Sequence, residues 1–266
     1  MTKYIWHTQE DDKVRPWHAA KDGKIFDSEH PPKGGTPGDA PNCRCWAEPI
    51  EEEKERDSLY DRNKTGIVSR EFESSNNPTA IGHDIKGGYS YGEIQIETKN
   101  SNTFDDFMKY LKKNPNYDDY YDYLQKAGGL AAAKNGERQF QRAWESVAND
   151  NRLRQAVHDF VIDKKVKPTI EKTRDIKGFD PQNRKSPVIE AIFSTAVQHG
   201  EGGAANIIHK ALGKDVSDLS DAEIISKIYN ERSKVDIYFR SQPPKIKHNI
   251  QKRLTNELNA LIYQLR

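Results

Sequence analysis

Residues 76–100 read NNPTAIGHDIKGGYSYGEIQIETKN. Asn, Pro and Gly punctuate this stretch, and Tyr89, Tyr91, Ile94 and Ile96 recur through its second half at strand-like intervals. That mixture predicts a short β-hairpin or a strand-bearing loop. Its surroundings read differently. A helix is predicted over Gly66–Glu73, stopped by the SSNNP that follows. From Phe104 onward the apolar residues fall at helical spacing. Val188, Ile189, Ile192, Phe193, Ala196 and Val197 share one face, and Ser220 stands as an N-cap before Ile224, Ile225 and Ile228. A terminal amphipathic helix carries Ile246, Ile250, Leu254, Leu258, Leu261 and Leu265 after Pro243 and Pro244. No internal repeat interrupts this order. The expectation is a mainly α, two-lobed α+β domain with one small β-hairpin beside a cleft.

Composition narrows the function classes. Hydrophobic residues make up 34% and charged residues 31% of 266, which describes a polar chain whose apolar residues still cluster well enough for a core. Lys and Arg total 42 against 41 Asp and Glu, a net charge of +1, so no global field favours nucleic acid as a partner. No stretch approaches a membrane span, and the opening MTKYIWHTQEDDKVRP lacks the apolar core of a signal peptide. The expectation is synthesis in the cytoplasm, no membrane partner, and export by other means if the target lies outside. Three parts are expected: a loop-rich module over 1–49, a linker or helix over 50–65 that includes the charged run IEEEKERD, and a main domain over 66–266.

A carboxylic acid that protonates a leaving oxygen, opposed by a carboxylate that activates water, is the arrangement that hydrolyses a sugar linkage. Glu73 suits the acid. It follows Phe72 near a helix end, where apolar neighbours raise a carboxyl pKa. Asp84 suits the base, because it lies in GHDIKGG, whose Gly87 and Gly88 allow a bulky ligand close to the backbone. Against this stand ordinary readings, since helix ends are often Glu-rich and an Asp before glycines is commonly a turn residue. Glu71, two positions from Glu73, points to another helix face. Glu93 is the rival for the second role, on a strand after Tyr91 that lines the same groove. Ser90, Tyr91 and Gln95 are candidates to bind sugar hydroxyls or N-acetyl groups, and Tyr91 has the alternative of a core aromatic. His199, before Gly200, is either a cleft residue or a structural histidine. His158 and His209 belong to helical patterns. GEGGAAN lacks a phosphate-binding context and reads as a helix break.

The run SREFESSNNPTAIGHDIKGGYSYGEIQI, residues 69–96, resembles the start of the glycosidase domain found at the C-terminus of some type VI secretion spike proteins and in related phage and secreted muramidases. The resemblance rests on Phe72-Glu73-Ser74, Asp84-Ile85-Lys86-Gly87-Gly88 and Ser90-Tyr91-Gly92-Glu93-Ile94-Gln95. It continues through Thr103 with Phe107, Ala127-Gly128-Gly129, Trp144 and Ser194-Thr195-Ala196-Val197-Gln198-His199-Gly200. It extends over about residues 66–265 and departs at Ser75-Asn76, where Gly-Gly is more usual. It implies a lysozyme-like fold and cleavage of the peptidoglycan glycan by an acidic pair at Glu73 and Asp84, with no catalytic cofactor. It also implies delivery into a target periplasm or cell wall as an antibacterial effector or phage-associated lysin. A cognate immunity protein and a secretion or phage carrier are the partners such delivery suggests. The alternatives are a non-catalytic module that binds cell wall or packs in a virion, and a chitosanase-like hydrolase.

Residues 1–49 are rich in Pro, Gly, Trp and His, and PPKGGTPGDAPN leaves room for two short strands and turns at most. Cys43 and Cys45 are the only cysteines, and a disulfide across one intervening residue is geometrically poor. Together with His18 they offer three metal ligands, with His7 or His30 as a fourth. A structural zinc would suit a module too small for a core, and two ordinary thiols beside a hydrogen-bonded His are the alternative. The segment resembles the end of the phage Mu F type minor head protein domain through Val14-Arg15, His18, Asp22-Gly23, Phe26, Pro31-Pro32, Gly38 and Asn42-Cys43-Arg44-Cys45.

Overall fold

Alternation organises the first of the two units into which the chain divides, residues 1–58 and 59–266. In β1 (Lys3–His7), Tyr4 and Trp6 turn to one face and are buried. β2 (Ile25–Asp27) and β3 (Trp46–Pro49) pair antiparallel on its two sides, in the order β2-β1-β3. The sequence suggested two strands. The third ends in Pro49, which disguises it, and proline is tolerated because β3 is an edge strand. A single turn, α1 (Pro16–Ala19), starts on its proline and sets His18 edge-on to Trp6, ring centroids 5.2 Å apart. The computed structural model describes residues 3–9, 11, 13–27, 31–49, 60–84, 88–99 and 103–266.

The second unit begins with α2 (Ile67–Ser74), entered through Gly66 at φ 79°. This helix has no cap from its own flank. Its free N–H groups are taken by Glu190, which accepts from the amides of Gly66 and Ser69 and from Ser69 Oγ. A carboxylate at a helix N-terminus also complements the helix dipole. The helix stops in two successive left-handed residues, Ser75 (φ 54°) and Asn76 (φ 55°). The Asn76 N–H donates to Arg70 O at 2.9 Å and the Ser75 N–H to Glu71 O at 3.0 Å, closing the last turn. Left-handed geometry explains why Gly-Gly would suit this place.

A meander follows, of β4 (Ile81–Asp84), β5 (Gly88–Tyr91) and β6 (Ile96–Glu97), with Ile81 opposite Tyr91 and Tyr91 opposite Ile96. The indole of Trp144 donates to Pro78 O at 3.1 Å and ties the sheet to the helices behind it. These are α3 (Thr103–Lys113), α4 (Asp118–Lys126), α5 (Gly129–Asn135) and α6 (Arg138–Val147). α7 (Asn151–Val161) runs through a π-helical turn, Ile162–Val166, into α8 (Lys167–Lys172). In the second set, α8, α10 (Asp221–Arg232) and α12 (Pro244–Gln264) pack around α9 (Ser186–Leu212), and the short α11 (Val235–Tyr238) packs on α12. Ser220 and Glu223 form a reciprocal capping box at the start of α10, and α12 opens on Pro244 as the sequence suggested. The GEGGAAN break is present too, since Gly200 leaves helical geometry (φ 68°, ψ 170°) and the helix resumes beyond it. Among the described residues no helix is long and apolar enough to cross a membrane.

Candidate active site

Two adjoining pockets of about 420 Å³ each form a groove between the sheet and α9. Gln95 and Glu97 line it from the sheet, Asp106 from α3, Lys164 and Lys165 from the π turn, and Gln198, His199 and Glu201 from α9. The second pocket shares Gln95, Glu97 and Gln198 and extends to Phe239, Asn249 and Arg253.

Two backbone irregularities build this groove. The π turn carries one residue more than an α-helical path, and Lys164 and Lys165 both reach the groove from it. The break at Gly200 interrupts the ladder of α9. There the Val197 carbonyl accepts from Lys165 Nζ at 3.2 Å, so one irregularity answers the other. Behind the groove, the fully buried Arg232 donates to Gln198 Oε1 at 2.8 Å and to Ser194 Oγ at 3.1 Å. Ser194 Oγ and Tyr229 OH in turn donate to the buried Glu257, at 2.7 and 3.0 Å. This network fixes Gln198 from the protein side.

The suggested carboxylates fare differently. Glu73 occupies the last turn of α2, and its side chain lies outside the described residues. Asp84 is the exposed last residue of β4, with Ile85-Lys86-Gly87 beyond it outside the described residues. Asp84 lines neither pocket, yet its charge reaches Glu97, which lines both. Desolvation raises the Glu97 carboxyl above its ordinary range; Lys165 opposes that rise and Asp84 adds to it. Glu71 is exposed, as its helix face suggested. Glu93 does not line the groove. It is 2% exposed and receives Arg154 at 2.7 Å, with Arg62 at 3.6 Å and Arg70 at 3.9 Å. Its backbone carbonyl accepts from Ser74 Oγ at 2.9 Å. Glu93 is therefore a buried clasp between α2, the sheet and α7, and its role as a rival second carboxylate is corrected.

Of the suggested sugar-binding residues, Tyr91 is also corrected. It is fully buried among Phe104, Phe140 and Trp144, and its hydroxyl is spent on Ala133 O at 3.0 Å. Ser90 donates to Gln95 Oε1 at 2.7 Å, and Gln95 Nε2 donates to Gly92 O at 2.8 Å. The two hold the turn together while Gln95 faces the groove. His199 lines the groove beside Tyr238 and Phe239. Burial, with Arg232 and Arg253 nearby, lowers its pKa to about 3, so the ring is neutral at physiological pH. His158 and His209 are structural: His158 Nε2 meets Tyr60 O at 2.6 Å, and His209 lies between Asp175 and Ala205 O. The sequence reading missed Glu97 and Lys165. The signal for Glu97 was present, because the alternation that buries Ile94 and Ile96 turns Gln95 and Glu97 to the opposite side.

This order of elements can be set beside known proteins. Residues 65–258 match the family described as type VI secretion system spike protein VgrG3-like, C-terminal. The chain belongs to that family. Residues 1–48 match the Phage Mu protein F like family. An uncharacterized protein of Haemophilus influenzae is 42% identical over 57 residues, which are 21% of this chain and 13% of that relative, so the chain matches a small part of its length. Among solved structures, the Gynuella sunshinyii GH46 chitosanase in complex with chitotetraose is similar with a TM-score of 0.51 and 14% identity, covering 80% of this chain and 88% of that one. The native chitosanase from Bacillus subtilis has a TM-score of 0.47 and 18% identity, over 80% and 86%. For this VgrG3-like domain the likeness establishes the fold: mainly helical, of the lysozyme-like α+β kind.

Proposed function

We propose that residues 59–266 are a glycoside hydrolase that cuts the glycan backbone of bacterial peptidoglycan, a muramidase, with Glu73 as general acid and Asp84 as the base that activates water. The groove carries this reading. It spans two adjoining pockets, lies between the sheet and the broken helix, and is lined by Glu97, whose carboxyl feels the charge of Asp84. Glu73 closes the helix that the short segment 75–80 joins to β4, which ends at Asp84. The resemblance of the two sequence blocks supports the assignment of roles. With water between the pair the reaction inverts the anomeric centre, for which carboxyl groups about 6.5–9.5 Å apart are required.

The charge of the groove bears on the substrate. Glu97, Asp106 and Glu201 are matched there by Lys164, Lys165 and Arg253. A polyamine such as chitosan is best held by an acidic trough, whereas mixed charge suits a glycan of N-acetylated sugars that carries lactyl and peptide groups. Membership of a spike-protein family supports delivery as an antibacterial effector to the periplasm or wall of a target cell, with a cognate immunity protein in the producer. The test is digestion of purified sacculi and, separately, of chitosan, with mass spectrometry of the products. Muropeptides ending in reducing muramic acid, lost in Glu73→Gln, are expected. Products from chitosan alone would make the domain a chitosanase. Binding to sacculi without products would make it a non-catalytic wall module.

A further inference from the structure

We propose that His18, Cys43 and Cys45 form a zinc-binding site in the first unit, independent of the groove. Nδ1 of His18 lies 3.2 Å from Cys45 Sγ and 3.4 Å from Cys43 Sγ, and the three atoms all fall within 4.8 Å of one another. Bond lengths of about 2.3 Å to sulfur and about 2.0 Å to nitrogen give a zinc tetrahedron nitrogen–sulfur edges of roughly 3.5 Å, close to the two separations here. Both cysteines are free thiols. Two sulfurs converge on the one ring nitrogen. A cation among them, with both thiols ionised, satisfies all three. Thiolate with imidazole is a donor set suited to zinc.

The surroundings hold these ligands in place. His18 is 2% exposed, set between the edges of Trp6 and Trp17. Arg15 Nη2 donates to Pro41 O at 2.6 Å, which ties the start of α1 to the segment entering Cys43. Asn42 takes a left-handed turn (φ 58°) just before Cys43. Among the described residues of this unit, Tyr4 and Trp6 are the apolar side chains that reach full burial. So small a core calls for a further cross-link, and disulfides and metals are what small domains use. His7 is not the fourth ligand. It pairs with Glu48 at 2.6 Å and stacks on Trp46, and strand alternation turns it away from Trp6 and His18. His30 lies outside the described residues. The cluster opens on a pocket of about 430 Å³ lined by Lys13, Asn42 and Arg44, which admits water to the remaining coordination position.

The experiment uses the full chain, stripped with a chelator under reducing conditions and titrated with Zn²⁺ or Co²⁺. Expected are stoichiometric zinc by elemental analysis, and with cobalt the visible bands of a tetrahedral ion and thiolate-to-metal charge transfer in the near ultraviolet. Zinc should also protect both thiols from a thiol reagent. His18→Ala and Cys43→Ser with Cys45→Ser should each lose the cobalt spectrum. Because those variants can fail by misfolding, the wild-type titration stands as a separate criterion. An octahedral cobalt spectrum, substoichiometric uptake by the stripped wild type, or thiols equally reactive with and without zinc would overturn the proposal. Hydrolysis of sacculi is not the readout, so the site and the muramidase reading fail separately.

Discussion

Two glutamates on adjoining elements, Glu73 and Glu93, are expected to fail in different ways when made amides. Glu73→Gln removes the proposed proton donor from the end of α2 and should lower the rate of sacculus digestion by about two to four orders of magnitude. The fold should survive, as judged by an unchanged urea midpoint. Asp84→Asn should lose activity severely for the same kind of reason, and near-wild-type digestion by either variant would remove that residue from the mechanism. Glu93→Gln leaves Arg62, Arg70 and Arg154 with an amide where a carboxylate stood. Breaking a buried ion pair of this sort costs roughly 3–5 kcal/mol, so the loss should appear in the unfolding free energy. Digestion should recover in samples shown to be folded. An inactive Glu93→Gln of full stability would return Glu93 to the chemistry.

Helix ends and breaks were legible in the sequence because their signals are local. The stop after α2, the Ser220 cap, Pro244 at N1 and the break at Gly200 each depend on a residue's own backbone preferences. What was not legible depends on contacts across long stretches of chain. Nothing near Gly66 announces that its helix is capped by Glu190, a charged residue embedded in an otherwise apolar pattern. Glu93 sits beside a strand and looks free until Arg154, from α7, is brought onto it. Tyr91 shows the limit of reading alternation. The interval marked a strand, and the face on which Tyr91 lies, opposite Ile96, proved to be the core. The break in α9 supports a prediction of its own. Gly200 has no neighbour within 4 Å of where a Cβ would stand, so Gly200→Ala meets no steric clash. Its φ and ψ are nevertheless those of glycine, and alanine there costs about 1–3 kcal/mol in strain. Relief by straightening the helix would shift Gln198 and His199, so KM for soluble glycan fragments should rise with little change in the pH profile. A variant with wild-type stability and KM would show that the break is not needed.

The whole second unit should respond to acid through its histidines. His158 is fully buried with a pKa lowered to about 4, chiefly by desolvation, and that of His199 is lowered to about 3. A depressed folded pKa means that the unfolded chain takes up protons first. Stability is therefore full above about pH 6.5, the ordinary histidine value, and is lost as the pH falls toward 4. His158 alone accounts for up to about 3 kcal/mol of that loss. Urea unfolding at pH 7 and pH 4.5 measures it, and His158→Phe should flatten the slope; an equal slope in that variant would assign the acid sensitivity elsewhere. The same unit has a mechanical consequence in the geometry of α9. Near one end Glu190 grips the start of the helix that bears Glu73, and two turns on Gln198 lines the groove, about 12 Å away along an unbroken helical rod. The helix of the proposed acid and that wall of the groove are thus carried on one stiff beam. If the jaws part to admit a glycan strand, the yielding side is the sheet, hung from Trp144 at Pro78 and from Ser74 at Glu93, and the beam supplies the fixed edge against which it closes.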